Sequence, residues 1–273
     1  MSFDPVYDLI PGDQPLLISI PHGGTRIPDA LRPKLAPLAQ ALPDTDHHVP
    51  RLYAFAPELG IGVLAARWSR YAVDLNRPAD DAPLYESNTT TTGLFTDECF
   101  DGSPLLLPGE RPDPWLRADI LDGIWRPYHA CLAHELARLK DRFGYALLWD
   151  AHSVRSVLPR LFEGRLPDLC LGTNDGQSCD PELAARLVGI CAAAHRYTQV
   201  LDGRFKGGWI TRHYGQPHAH VHAVQMELSQ ATYMDEDAPW AFREDLAADL
   251  VPVLRTLLET MLVWGRERYG ASS

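Results

Sequence analysis

Pro15-Leu16-Leu17-Ile18-Ser19-Ile20-Pro21-His22-Gly23-Gly24 sets an apolar run directly before a histidine and two glycines. A run of this length bounded by such breakers reads as a buried strand. The glycines allow a sharp turn at the strand's carboxyl end, where open α/β sheets place their ligands. His22 is therefore aimed into a crevice. The pattern recurs downstream, where Leu147-Leu148-Trp149-Asp150 reads as a second buried strand and Ala151-His152-Ser153 follows it. Two strand-end histidines with acidic residues beside them suggest one metal site assembled by the fold, since neutral imidazole is the commonest metal ligand.

Working outward, Ile27 to Leu42 is punctuated by prolines and predicts one short helix, and Val49 to Glu58 another. Ile61 to Ala66 and Tyr71 to Leu75 read as strands, the second ending at Asn76-Arg77-Pro78. Asp80 to Arg111 has no periodicity and includes four successive threonines, Thr89 to Thr92, so it is a candidate lid. Asp113-Pro114 starts a helix that runs to Phe143 with a kink at Pro127, and Asp180-Pro181 caps a second through about Ala194. Leu169 to Gly172 and Tyr197 to Leu201 are further strands. From Val221 the residues alternate as in a half-buried strand with Glu227 on the face opposite Met226 and Leu228, and Asp237 and Pro239 open a closing helix of about seven turns. Alternating strands and helices with no dividing linker predict a single α/β domain over residues 1–273, with a mostly parallel mixed sheet flanked by helices.

A chain of 273 residues with a formal charge of −11 is not built to bind nucleic acid or an anionic membrane. Any anionic substrate must be drawn in by local arginines. Five cysteines without a C-x-x-C pair favour a reduced chain. The start, Met1-Ser2-Phe3-Asp4-Pro5, has neither a basic segment nor an apolar signal core, so a cytoplasmic location is expected.

A catalytic zinc takes about three protein ligands and keeps an open position. His22 and His152 supply two, and the third should be a carboxylate, Asp44 or Asp46, with His47 and His48 as competitors. His218, His220 and His222 share one face of an extended segment and form a second possible cluster. His134-Glu135 is half of a helical zinc-protease motif, but Arg138 stands where the second histidine belongs, so that signal fails. Glu227, an acid within an apolar strand, is the candidate general base. Asn76 and Arg77 can present an amide and a guanidinium fork to a carboxylate, and Arg155, Arg160, Arg165, Arg204 and Arg212 add positive charge.

Taken in order, Pro21-His22-Gly23-Gly24, Asp44-Thr45-Asp46, Asp74-Leu75-Asn76-Arg77, Asp150-Ala151-His152-Ser153, Asn174-Asp175-Gly176, Gly203-Arg204-Phe205-Lys206-Gly207-Gly208 and Gln225-Met226-Glu227-Leu228 resemble the N-formylglutamate deformylase family. The resemblance spans about Leu16 to Ser229. It implies a zinc exopeptidase-like α/β fold related to carboxypeptidases and aspartoacylases. His22, Asp46 and His152 would hold Zn2+ or another divalent transition metal, and Glu227 would be the base. The expected substrate contacts are Asn76, Arg77, Arg155, Asn174, Arg204 and Arg212. The carboxypeptidase pattern puts an acid three residues after the first histidine, where this chain has Thr25, so the carboxylate must come from elsewhere. The reaction implied is hydrolysis of N-formyl-L-glutamate to formate and L-glutamate, the last step of a histidine degradation route. The rival readings are a related zinc amidase or carboxypeptidase for another N-acyl amino acid, and a non-catalytic protein that binds an anionic metabolite.

Overall fold

Seven strands form one mixed sheet in the order β1-β3-β2-β4-β7-β5-β6, where β1 is Tyr7–Ile10, β2 Leu16–Ile20, β3 Gly62–Ala66, β4 Ala146–Val154, β5 Leu169–Gly172, β6 Gln199–Leu201 and β7 Val221–Ser229. The computed structural model describes residues 3–84 and 92–270. Strands β3, β2, β4 and β7 run parallel, β1 and β5 are antiparallel to their inner neighbours, and β6 runs with β5. The α-helices are α1 Pro37–Gln40, α2 Val49–Leu52, α3 Pro114–Ile120, α4 Arg126–Phe143, α5 Pro181–Ala193, α6 Trp209–Tyr214 and α7 Glu244–Tyr269.

Strand alternation sends side chains to two separate cores. Leu16, Ile18, Leu147, Trp149, Val224 and Met226 pack on one face against Leu183 and Leu187 of α5 and Leu250, Leu254, Leu257 and Met261 of α7. Leu17, Leu148 and Ala223 pack on the other against Ile120, Tyr128, Leu132 and Leu136 of the α3–α4 segment. The result is a helix–sheet–helix sandwich. Among the described residues no helix is long and apolar enough to cross a membrane.

The expected strands at β2, β3, β4, β5 and β7 are present, and both Asp-Pro caps form: Asp113 accepts from Trp115 N–H and Asp180 from Glu182 N–H. Other expectations are corrected. Tyr71 to Leu75 is not a strand. It is a turn segment whose amides go to Ser69 and to the Leu94 carbonyl, while the Asp74 carboxylate accepts from Asn76 N–H. Strand β7 is buried on both faces rather than half-buried, because it lies between β4 and β5 under both helical layers. Helix α7 opens at Glu244, not at Asp237 or Pro239. The Asp235 amide is spent on the Ala241 carbonyl, and Glu244 and Asp245 then supply the first-turn charge. The Val49 to Glu58 segment divides into α2 and a 3-10 turn, Ala56–Leu59. Pro127 is accommodated by a π-turn, Leu121–Trp125, which precedes α4 and places the proline in its first turn. Of the candidate lid, residues 85–91, with Thr89 to Thr91, lie outside the described residues.

At the foot of the sheet His222 ties α5 to α7. Its Nδ1 accepts from Asp180 N–H at 3.1 Å, so its Nε2–H faces the Tyr269 hydroxyl at 2.6 Å. Burial pushes this imidazole down to about 4, and burial likewise pushes His129, on the buried face of α4, down to about 3. Both folded values lie below the unfolded one. The unfolded chain therefore binds more protons between about pH 6.5 and these values, and stability falls as pH falls through that window. His222 alone should account for about 2 kcal/mol of stability lost between pH 7 and 5. Urea unfolding of wild type and His222→Gln at both pH values checks this: the variant should lose that much less on acidification. Equal losses in the two proteins would refute it.

Candidate active site

The four parallel strands deliver the site from their carboxyl ends. His22 lies two residues beyond β2, and its carbonyl accepts from Asp46 N–H at 3.1 Å, which brings the Pro43–His48 loop alongside. Gly24 is required by close approach and not by positive φ: a Cβ there would sit 2.5 Å from the Trp68 carbonyl oxygen. Strand β4 runs past the position expected for its end, so His152 is in the strand and not after it. Its register partner on β7 is Glu227, and that of Asp150 is Gln225. Neighbouring partners in a parallel pair project to the same face, so the four side chains form a block at the top of the sheet.

His22 Nε2–H donates to Asp74 Oδ1 at 2.7 Å, which leaves Nδ1 as the lone-pair nitrogen. That Nδ1 is buried without a hydrogen-bond partner, as is Asp46 Oδ1. Asp46 Oδ2 accepts from Ser153 N–H at 3.1 Å and faces His152 Nδ1 at 3.2 Å. On the far side of the His152 ring, Nε2 is 3.0 Å from Asn76 Nδ2 and 3.1 Å from Asp150 Oδ1, a buried oxygen that takes no hydrogen bond. One ligand atom from each of His22, Asp46 and His152 can lie within 4.8 Å of the others, and all three residues are buried. Buried polar atoms rarely go unpaired. Orphaned donors on an acid and an imidazole that converge in this way fit a borderline-soft cation such as zinc, with Asp74 and Asp150 as carboxylate supports behind the two rings.

Burial pushes the His22 imidazole down, which keeps it neutral and ligand-competent. Burial alone would raise the Asp46 and Asp74 carboxyls. Facing histidines and Arg70 outweigh it at both, helped at Asp74 by Arg77, and hold them below the usual carboxylate range. At Glu227 burial, helped by the Asp46 and Asp150 carboxylates, outweighs His152 and Arg70, and the carboxyl moves up.

Of the two acids in the loop, Asp44 points away from the histidines and takes the Tyr71 hydroxyl (2.6 Å) and Phe100 N–H (2.7 Å). Asp46 is the one that faces them. His47 and His48 turn outward to the carbonyls of Leu42 and Trp240. His218, His220 and His222 form no metal-competent group among the described residues.

A cleft over this group opens to solvent. Its walls include Asn76, Arg77, Arg204, Gln225, Glu227 and the apolar Phe100, Val154, Leu161 and Phe205. Asn76 is fixed by Ile210 N–H on its Oδ1 and by Gly208, where a Cβ would fall 2.2 Å from the amide nitrogen. Gln225 accepts from Gly208 N–H and donates to Glu227 Oε2 at 3.1 Å. Arg204 donates to the Leu161 carbonyl and lies over the Phe205 ring. The remaining expected substrate contacts are placed elsewhere. Arg155 pairs with Asp237, Arg212 donates to the Gly207 carbonyl, and Asn174 gives its amide to the Lys206 carbonyl, and none of the three lines the cleft.

A charged residue that lines the cleft, Arg70, was not singled out from the sequence. Arg70 is 10% exposed, donates to Asp74 Oδ2 at 2.9 Å, stands 3.8 Å from Asp46 and lies 4.4 Å over the Phe100 ring. No local pattern marked it, because Arg70 and Asp74 stand in a turn segment and not on a helix, where a four-residue spacing would pair them.

A mixed α/β sheet with a metal-competent trio, a buried carboxylate and arginines at its strand ends is the architecture of a small-molecule hydrolase. Comparison with known proteins narrows this class. Residues 14–234 match the family described as N-formylglutamate amidohydrolase. N-formylglutamate deformylase of Pseudomonas aeruginosa is 61% identical over 267 residues, covering 98% of this chain and all of that protein. The Pseudomonas putida N-formylglutamate deformylase is 56% identical, covering 97% and 99%. The crystal structure of N-formylglutamate amidohydrolase from Ralstonia eutropha JMP134 superposes with a TM-score of 0.82 at 25% identity, covering 96% of this chain and 98% of that one. This chain belongs to the N-formylglutamate amidohydrolase family.

Proposed function

We propose that this protein hydrolyses the formamide of N-formyl-L-glutamate to formate and L-glutamate, using a divalent transition metal of the zinc type held by His22, Asp46 and His152. The observation that carries the reading is the orphaned His22 Nδ1 and Asp46 Oδ1 facing His152 in a cleft that also holds Glu227 and three arginines. A bound zinc-type ion supplies Lewis acidity toward water and the formyl oxygen. Glu227 accepts the proton of the attacking water and passes it to the leaving nitrogen as the C–N bond breaks. Arg70, already desolvated beside the trio, meets negative charge as it develops on the formyl oxygen. Arg77 and Arg204 take the two substrate carboxylates, and the apolar wall excludes water from the substrate's methylenes. All five cysteines are unpaired, which supports a cytoplasmic site of action, and the reaction would be the last step of a histidine degradation route.

Formate release from N-formyl-L-glutamate, measured on the purified protein, tests the reading directly, and no release would end it. In the same assay Arg77→Lys should lower kcat/KM by about 2–4 kcal/mol, because an ammonium cannot reproduce the planar fork. An unchanged kcat/KM would remove Arg77 from the site.

A further inference from the structure

Arg77 is not loose in the cleft. Its Nε–H donates to the Thr92 carbonyl at 2.6 Å, one terminal nitrogen donates to Thr92 Oγ1 at 3.2 Å, and the other donates to the Asn76 carbonyl at 2.8 Å. A guanidinium has five N–H donors in a rigid plane. Thr92 takes the edge formed by Nε and one terminal nitrogen, and with the bond to Asn76 this leaves one further N–H on each terminal nitrogen for a ligand. Thr92 itself lines the cleft. Its place is set two residues on, where the buried Leu94 donates its N–H to Asp81 Oδ1 at 2.6 Å and accepts from Asp74 N–H at 2.8 Å. Asp74 is also the carboxylate behind His22. Residues 92–94 are therefore strung between the support of the metal-competent group and the arginine assigned to substrate.

We propose that Thr92 is a positioning residue that locks the Arg77 guanidinium in the plane that receives a carboxylate end-on, and so sets the preference for a carboxylate over a carboxamide at that end of the substrate. The proposal rests on the assignment of Arg77 to a substrate carboxylate. A neutral carboxamide brings its own N–H donors against the held edge, whereas a freely rotating arginine could turn to meet its single oxygen.

Thr92→Val keeps the shape and the backbone carbonyl and removes only the hydroxyl, and Thr92→Ser restores the hydroxyl. The probes are N-formyl-L-glutamate and its two monoamides, amidated at the α- or the γ-carboxyl. The Val variant should raise KM for N-formyl-L-glutamate about 3- to 10-fold, the usual effect of one hydrogen bond, with kcat within about twofold. Discrimination against one monoamide should shrink by the same factor, with the other unaffected, and the Ser variant should behave as wild type. Wild-type KM and discrimination in the Val variant would overturn the proposal, as would a lowered melting temperature with both unchanged, which marks a loop staple only. Arg77→Lys measured alongside separates the two failures. If it is impaired while Thr92→Val is not, only the role of Thr92 falls. If it too is unimpaired, the assignment of Arg77 falls with it.

Discussion

Glu227→Gln is expected to lower kcat for N-formyl-L-glutamate by roughly 10²–10⁴-fold, the span usual for losing general acid–base help, while metal content and KM stay near wild type. The expectation follows from where β7 places this residue. Glu227 is 7% exposed, lies beside His152 in the strand register and receives one hydrogen bond from Gln225. Burial raises its carboxyl, a cost that a purely structural position would have no reason to carry. Gln preserves the volume and can keep a contact with Gln225, so a fall in kcat reports the lost proton acceptor. A stable, metal-loaded variant with unchanged kcat would remove Glu227 from the reaction. A variant with a lower melting temperature and intact kcat would make it a core polar residue.

The second large effect concerns the trio itself. His22→Ala and His152→Ala should each take the metal content of the purified protein from about one ion per chain to almost none, read by elemental analysis without any activity assay. Each change removes one of three converging donors, and a site left with two has no closed coordination. Asp74→Asn should act more mildly, because it leaves all three converging donors in place and weakens the support behind His22 together with the Arg70 ion pair. Loss of such a partner typically costs about 10–100-fold in metal affinity. Full metal retention in both alanine variants would sink the assignment of this group as the metal centre.

These experiments bear on residues whose legibility in the sequence differed. The inner strands were readable because each is a short apolar run closed by a breaker, and the caps of α3 and α5 were readable as Asp-Pro pairs. His22 and Glu227 stood out because each interrupts or ends such a run, and the ordered motifs around them carried the family resemblance. Alternation misled at Tyr71 to Leu75, where apolar side chains are buried from a turn and not from a ladder. It also could not tell that β7 would be covered on both faces, since that depends on β5 pairing beyond it.

Only the tertiary structure could choose between Asp44 and Asp46. Two residues apart in an irregular loop, they are separated by one backbone bond, Asp46 N–H to the His22 carbonyl, which turns one acid to the histidines and the other to Tyr71 and Phe100. Arg70 and Thr92 enter the cleft by the same kind of long-range convergence, while Arg155, Asn174 and Arg212 settle on partners outside it. What this sequence determined by itself was local: strand and helix identity, caps, and the residue types able to do hydrolytic chemistry. Those follow from periodicity and backbone preferences acting over a few residues. Which acid faces the histidines and which arginines reach the cleft depends on hydrogen bonds between segments far apart in the chain, and these exist only once the sheet has brought the strand ends together.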